Sequence, residues 1–273
     1  MIQSNPGATI GEIFELSVRV LTAYRNLPQF RGKDVYNLDP MILAEQLLHY
    51  AVKYDTLSLN HSILGMTSDV PCVYCLPGIG KDRKKILFDG KTIMIEEILK
   101  AQEASKGRLN FTIVHECSHI ILMMMYPEEY GNKTAARCIY ARNPTNKTEE
   151  ERLADELTVR LLMPVDAIEY GMYTYGFKGK IRLSMGRELP DKDKQFVYSM
   201  MNYLGVSKTA LLNRLIDLNY VEDMDADQYW EQDFFDECVR LNRRLEANHR
   251  KTKIERVNAI TAYASGCRYV KVL

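Results

Sequence analysis

The chain lacks the marks of any extreme class. It carries no net charge, 36 Lys plus Arg against 36 Asp plus Glu in 273 residues, so no overall field steers it to nucleic acid or to an anionic membrane. Its six cysteines, at 72, 75, 117, 138, 238 and 267, are too sparse for a disulfide framework at this length, and a reducing cytoplasm is the expectation. Cys72 and Cys75 form a Cys-x-x-Cys, but no second pair follows to complete a zinc knuckle. Two packed or surface thiols beside a turn marked by Pro71, Pro77, Gly78 and Gly80 are expected there instead. Long apolar runs are missing too: Ile120 to Met125 falls far short of the roughly 20 residues of a spanning helix. The opening residues lack the basic stretch and apolar core of a secretory signal, and no internal repeat is evident.

What is present suffices for a folded core. With 46% hydrophobic residues, the length fits one large domain or two modest ones. Residues 8 to 25 place Ile10, Ile13, Phe14, Leu16, Val20 and Leu21 at helical spacing, and Pro40 opens a second amphipathic segment, MILAEQLLHYAVKY. At 86 to 96 the pattern changes to β-branched runs, ILFDG and KTIMIE, around Asp89-Gly90, which reads as a hairpin. Asn110 then caps a helix that Pro127 ends, and KTEEERLADELTVRLLMP reads as another, with a Leu153, Leu157, Leu161 stripe, stopped by Pro164.

The first of these last two helices contains HECSH, residues 115 to 119. Residues four apart share a helix face, so His115 and His119 can offer two imidazole nitrogens to one Zn²⁺, with Glu116 beside them to accept a proton from water. Only five histidines occur in the chain, and two are here. Cys117 lies between them and off their face, so it reads as a packed thiol. Two histidines leave the coordination short of a third protein ligand. In the EEERLAD segment, Glu151 has Asp155 one turn on, a spacing that lets one carboxylate ligate while the other accepts the Nδ1 hydrogen of a ligating histidine. Two readings compete with this. Thr148 and Glu151 spell a capping box, and on a helical wheel Glu150 projects more nearly with Leu157 and Leu161, so spacing alone leaves the third ligand open.

RLNFTIVHECSHIIL resembles the Arg-Phe-Thr-Ile-Ala-His-Glu-Leu-Gly-His segment of the ImmA/IrrE metallopeptidases. EEERLADELTVRLLMP resembles their Glu-Arg-Glu-Ala-Asn-x-Phe-Ala-x-x-Leu-Leu-Met-Pro segment, and YLGVSKTALLNRL their downstream Val-Ser helix. The likeness spans roughly residues 85 to 220, departing at Cys117, Ser118, Asp155 and Leu157. It implies His115, His119 and Glu151 as zinc ligands, Glu116 as general base, and hydrolysis of a peptide bond. It also implies a protein substrate, a helix-turn-helix repressor of a mobile element or stress response carried on a separate chain. Tyr126, Tyr130, Tyr140 and Tyr170 are open candidates for the oxyanion donor.

The expected fold is α+β: a mostly helical zincin-like core with a small β-sheet over 85 to 190, preceded by a helical region at 1 to 84. A helix-turn-helix-like segment follows at 191 to 222, with Gly205 at the turn and Ser207 as cap, and a helical tail at 223 to 273 whose residues 226 to 257 carry Trp230, Phe234 and Phe235. Lys208, Asn213 and Arg214 are the side chains a DNA-reading second helix would present, although acidic flanks (Asp217, Glu222, Asp223, Asp225) argue against direct nucleic-acid contact. Two alternatives to an enzyme remain: a non-cleaving binding protein on the same scaffold, and a DNA-binding regulator acting through residues 194 to 221.

Overall fold

The structure is a computed structural model that describes residues 8–58, 60–75, 85–101, 106–131, 137–140, 148–183, 189–223 and 240–241. It is α+β and forms two compact units, one of residues 1–178 with 197–218 and the other of 179–196 with 219–273. The first holds the sheet and the candidate site.

Helix α1 (Ile10–Arg25) starts at a full capping box, in which Thr9 and Glu12 satisfy each other's backbone amides. Pro40 opens a short α2 (Pro40–Ile42) that continues as a π-helical turn (Leu43–Leu47). The expected second helix stops there. His49 takes a positive φ of 61°, and Ala51–Asp55 leaves as strand β1. Its apolar run was compatible with either element, and pairing with the sheet decided it.

Strands β2 (Ile63–Thr67), β3 (Pro71–Cys75), β4 (Lys85–Asp89) and β5 (Thr92–Glu96) follow, then β6 (Arg137–Tyr140). The main sheet runs β1-β5-β2-β6, with β1 parallel to β5 and the other neighbours antiparallel. The expected hairpin at Asp89-Gly90 is not formed, because β4 pairs with β3 whereas β5 lies between β1 and β2. Gly65 faces Ile95, Thr67 faces Ile93, Pro71 faces Asp89 and Cys75 faces Lys85. These pairs share one register, so residues 63 to 75 and 85 to 96 are the arms of a single long hairpin. Asp89-Gly90 is a kink within it: Asp89 accepts the Lys91 amide at 2.8 Å, and Gly90 has φ 81°. The pairings also remove residue 85 as a boundary, since three strands precede it, and the region 1 to 84 is not simply helical.

Helix α3 (Ile98–Ala101) leads to α4 (Lys106–Met125), in which every residue from Thr112 to Met123 is buried. A helix enclosed on all sides carries whatever polar residues it has into the core. Asn110 is inside this helix rather than at its cap, and its side chain donates to the Gly205 carbonyl at 2.8 Å. Then come α5 (Pro127–Tyr130), α6 (Glu149–Leu162) and α7 (Val165–Thr174). Leu153, Leu157 and Leu161 of α6 are fully buried as their spacing predicts. Farther on, α8 (Asp191–Leu204) and α9 (Lys208–Asp217) are joined through Gly205 at φ 65°, and Ser207 caps α9.

That helix pair does not present all three side chains expected of a DNA reader. Arg214 is 5% exposed and donates Nε to the Met163 carbonyl at the end of α6. In the second unit, β7 (Ile181–Leu183) pairs in parallel with β8 (Val221–Asp223), and Asp193 binds the Arg182 amide and guanidinium. The expected C-terminal helix at 226 to 257 lies outside the described residues, apart from 240–241. No helix among the described residues is long and apolar enough to cross a membrane.

Candidate metal centre

Two helices build the site. From α4 come His115, Glu116 and His119, with 3%, 0% and 1% of their surface exposed. From α6 come Glu150, Glu151 and Asp155. Ser118, next to His119 in sequence, and Thr158, a turn beyond Asp155, bring their hydroxyl oxygens to 3.0 Å in the interior, small side chains that let the helices approach closely.

Each imidazole has a carboxylate on its Nδ1. His115 Nδ1 is 3.0 Å from Asp155 Oδ1, and His119 Nδ1 is 3.1 Å from Glu150 Oε1. A carboxylate oxygen only accepts, so His119 Nδ1 donates to Glu150, while Asp155 lies beside His115 Nδ1 without completing a hydrogen bond; with the proton on Nδ1, the lone pair of Nε2 faces the other way. Those two Nε2 atoms face each other at 3.1 Å, with Glu151 oxygens 3.3 Å from His115 Nε2 and 3.4 Å from His119 Nε2. Electron-pair donors thus converge on one point.

Donors about 2.0–2.2 Å from a tetrahedral ion are separated by roughly 3.3–3.6 Å, and the observed separations of 3.1, 3.3 and 3.4 Å are close to those edges. His115, His119 and Glu151 form a group that can hold a metal ion, with one ligand atom from each and all of them within 4.8 Å of one another. The charge points the same way. Three carboxylates, Glu150, Glu151 and Asp155, contact the two imidazoles in a partly buried setting that favours a cation. Burial pushes the Glu151 carboxyl up, but its contacts with His115 and His119 outweigh this and hold it well below the usual range.

The competing readings of α6 resolve at the level of single atoms. Thr148 Oγ1 does accept the Glu151 amide at 3.3 Å, while the Glu151 carboxylate reaches the histidines, so only half of the capping box forms. Glu149 is exposed and pairs with Arg152 at 2.9 Å. Glu150, weighed in the sequence only as a rival ligand, instead meets the back of His119.

Other expectations find different places. Cys117 is fully buried and its thiol is pushed far up, by burial first and the neighbouring Glu116 charge second, so it is no thiolate ligand. Cys72 and Cys75 sit three apart on a strand and face opposite sides, one half-buried and one exposed, which rules out a shared ion. Tyr170 stacks on Tyr36 at 4.1 Å, and Tyr126 lies edge-on to Tyr130. The Tyr140 side chain lies outside the described residues, and no oxyanion donor is assigned.

A residue unmarked in the sequence completes the setting. Gly65 of β2 lies directly over the general-base candidate: a β-carbon placed there would be 2.6 Å from Glu116 Oε1 and 2.8 Å from the Thr112 methyl. A lone glycine inside a strand is the usual trace of such an approach. The chain matches no protein-family model, and no curated protein matches it.

Proposed function

We propose that this chain is a zinc-dependent metalloendopeptidase. The observation that carries the reading is the convergence of His115 Nε2, His119 Nε2 and the Glu151 carboxylate, with Glu116 fully buried beside His115 in sequence. Zinc held by His115, His119 and Glu151 would supply Lewis acidity toward a peptide carbonyl and would lower the pKa of water to about 7. Glu116 holds the proton at its carboxylate and returns it to the leaving amine. Asp155, 3.0 Å from His115 Nδ1, is placed to keep that ring turned with Nε2 toward Glu151.

The resemblance of the two helices to ImmA/IrrE metallopeptidases suggests the substrate: a specific protein, a helix-turn-helix repressor of a mobile element or stress response, in a cytoplasmic setting. The test is incubation of the zinc-loaded protein with such repressors, in parallel with Glu116→Gln. Cleavage by wild type that falls by 10³-fold or more in the variant, at equal zinc content, is the result expected on the order of general-base contributions. Stable capture of the repressor without cleavage by either protein overturns the enzyme reading in favour of a non-cleaving binding protein.

A further inference from the structure

We infer that Glu150 is the positioning residue for His119, so that α6 alone supplies one ligand and the orienting carboxylates for both ligating imidazoles. This rests on the metal reading above and extends it. The run Glu149-Glu150-Glu151 divides by contact: the first side chain is 61% exposed and meets Arg152, the second is 13% exposed and meets His119 Nδ1, and the third faces both Nε2 atoms. Glu150 is therefore not a solvated surface charge. Its Oε1 touches the nitrogen of His119 opposite the one that faces Glu151, which is the wrong side for a ligand and the right one for an orienting acceptor.

Two consequences follow from that placement. The Nδ1–H···carboxylate bond selects the tautomer with a free lone pair at Nε2, and it raises the basicity of the ring toward a cation. With Asp155 3.0 Å from His115 Nδ1, a single helix presents three carboxylates within six residues to all four imidazole nitrogens. Docking α6 on α4 thereby completes both the donor set and its orientation.

The experiment compares wild type, Glu150→Gln, Glu150→Ala, Glu151→Gln and the surface control Glu149→Ala. Zinc affinity is read by competition with a chromophoric chelator, the Co²⁺ absorption spectrum reports coordination, and ¹⁵N-histidine NMR of the zinc-loaded protein reports the tautomer. The expected result is one zinc per chain in Glu150→Gln and Glu150→Ala with affinity reduced about 10–100-fold. The Co²⁺ spectrum stays unchanged in both and altered in Glu151→Gln, and the protected His119 Nδ1–H signal is lost in Glu150→Ala. Glu149→Ala matches wild type. A Co²⁺ spectrum altered in Glu150→Gln makes Glu150 a ligand and overturns the inference, as does a Glu150→Ala affinity equal to that of Glu149→Ala. Failure of wild type to take up zinc or Co²⁺ is a different outcome that removes the metal reading itself.

Discussion

Gly65 shows how much of the site depends on a residue with no chemistry of its own. A β-carbon there would collide with the Glu116 carboxylate and the Thr112 methyl, and both partners are buried. Gly65→Ala therefore forces Glu116 to move or β2 to lift, at about 1–3 kcal/mol for an overpacked interior. The histidines and Glu151 keep their contacts across the α4 and α6 interface. The expected outcome is unchanged zinc stoichiometry with hydrolysis reduced on the order of 10²-fold, the scale for a catalytic group displaced by about 1 Å. Zinc analysis and a cleavage assay check it, and wild-type turnover would show that β2 does not set the position of Glu116. At this scale the two histidines and Glu116 were legible, because a spacing of four on a helix is geometry. Glu151 was legible only as one candidate for the third ligand, with Asp155 one turn on in its favour. The contact of Glu150 with His119 was not legible, since a helical wheel gives directions about its own axis and says nothing of where a neighbouring helix lies.

Among the elements, α6 has the most to hold in place. Its first two turns carry the carboxylates, its buried leucines face the interior, and the Met163 carbonyl at its C-cap accepts from Arg214 of α9. Burial pushes the pKa of that guanidinium down, with Arg160 nearby adding to the effect. A cation at a helix C-terminus is favourable on both hydrogen-bond and dipole grounds. Replacing it, as in Arg214→Met, leaves the Met163 carbonyl without its charged donor and is expected to cost about 1.5–3 kcal/mol. Denaturant unfolding measures this directly. A change below about 0.5 kcal/mol would mean that solvent satisfies the carbonyl equally well. The same placement explains why Arg214 misleads in the sequence: a basic residue on the second helix of a helix-turn-helix pattern has two destinations, and α9 turns this one inward. The Asp89-Gly90 hairpin misleads for a related reason. Local turn chemistry is the same for a kink within a long hairpin and for its end, and only the shared register of β2 with β5 and β3 with β4 separates them.

For the molecule as a whole, the donors come from segments more than 30 residues apart, 115–119 and 150–155. An unfolded chain cannot present them together, so an ion bound there binds the folded state and stabilises it by RT ln(1 + [L]/Kd), about 4 kcal/mol at a thousandfold excess over Kd. In a unit of this size each kcal/mol moves the unfolding midpoint by roughly 2–4 °C, so excess chelator should lower it by about 10 °C. Zinc added in excess of chelator should restore it. Glu151→Gln separates this linkage from any unspecific effect of the chelator, because it removes a donor oxygen while preserving size; its midpoint should respond little to chelator. The sign follows from the charge of the site. Without a cation, three carboxylates crowd around two imidazoles, so the metal-free fold bears repulsion that the loaded fold does not. Equal midpoints for wild type with and without chelator would mean that this repulsion is relieved by protons alone, and that α4 and α6 meet without needing an ion between them.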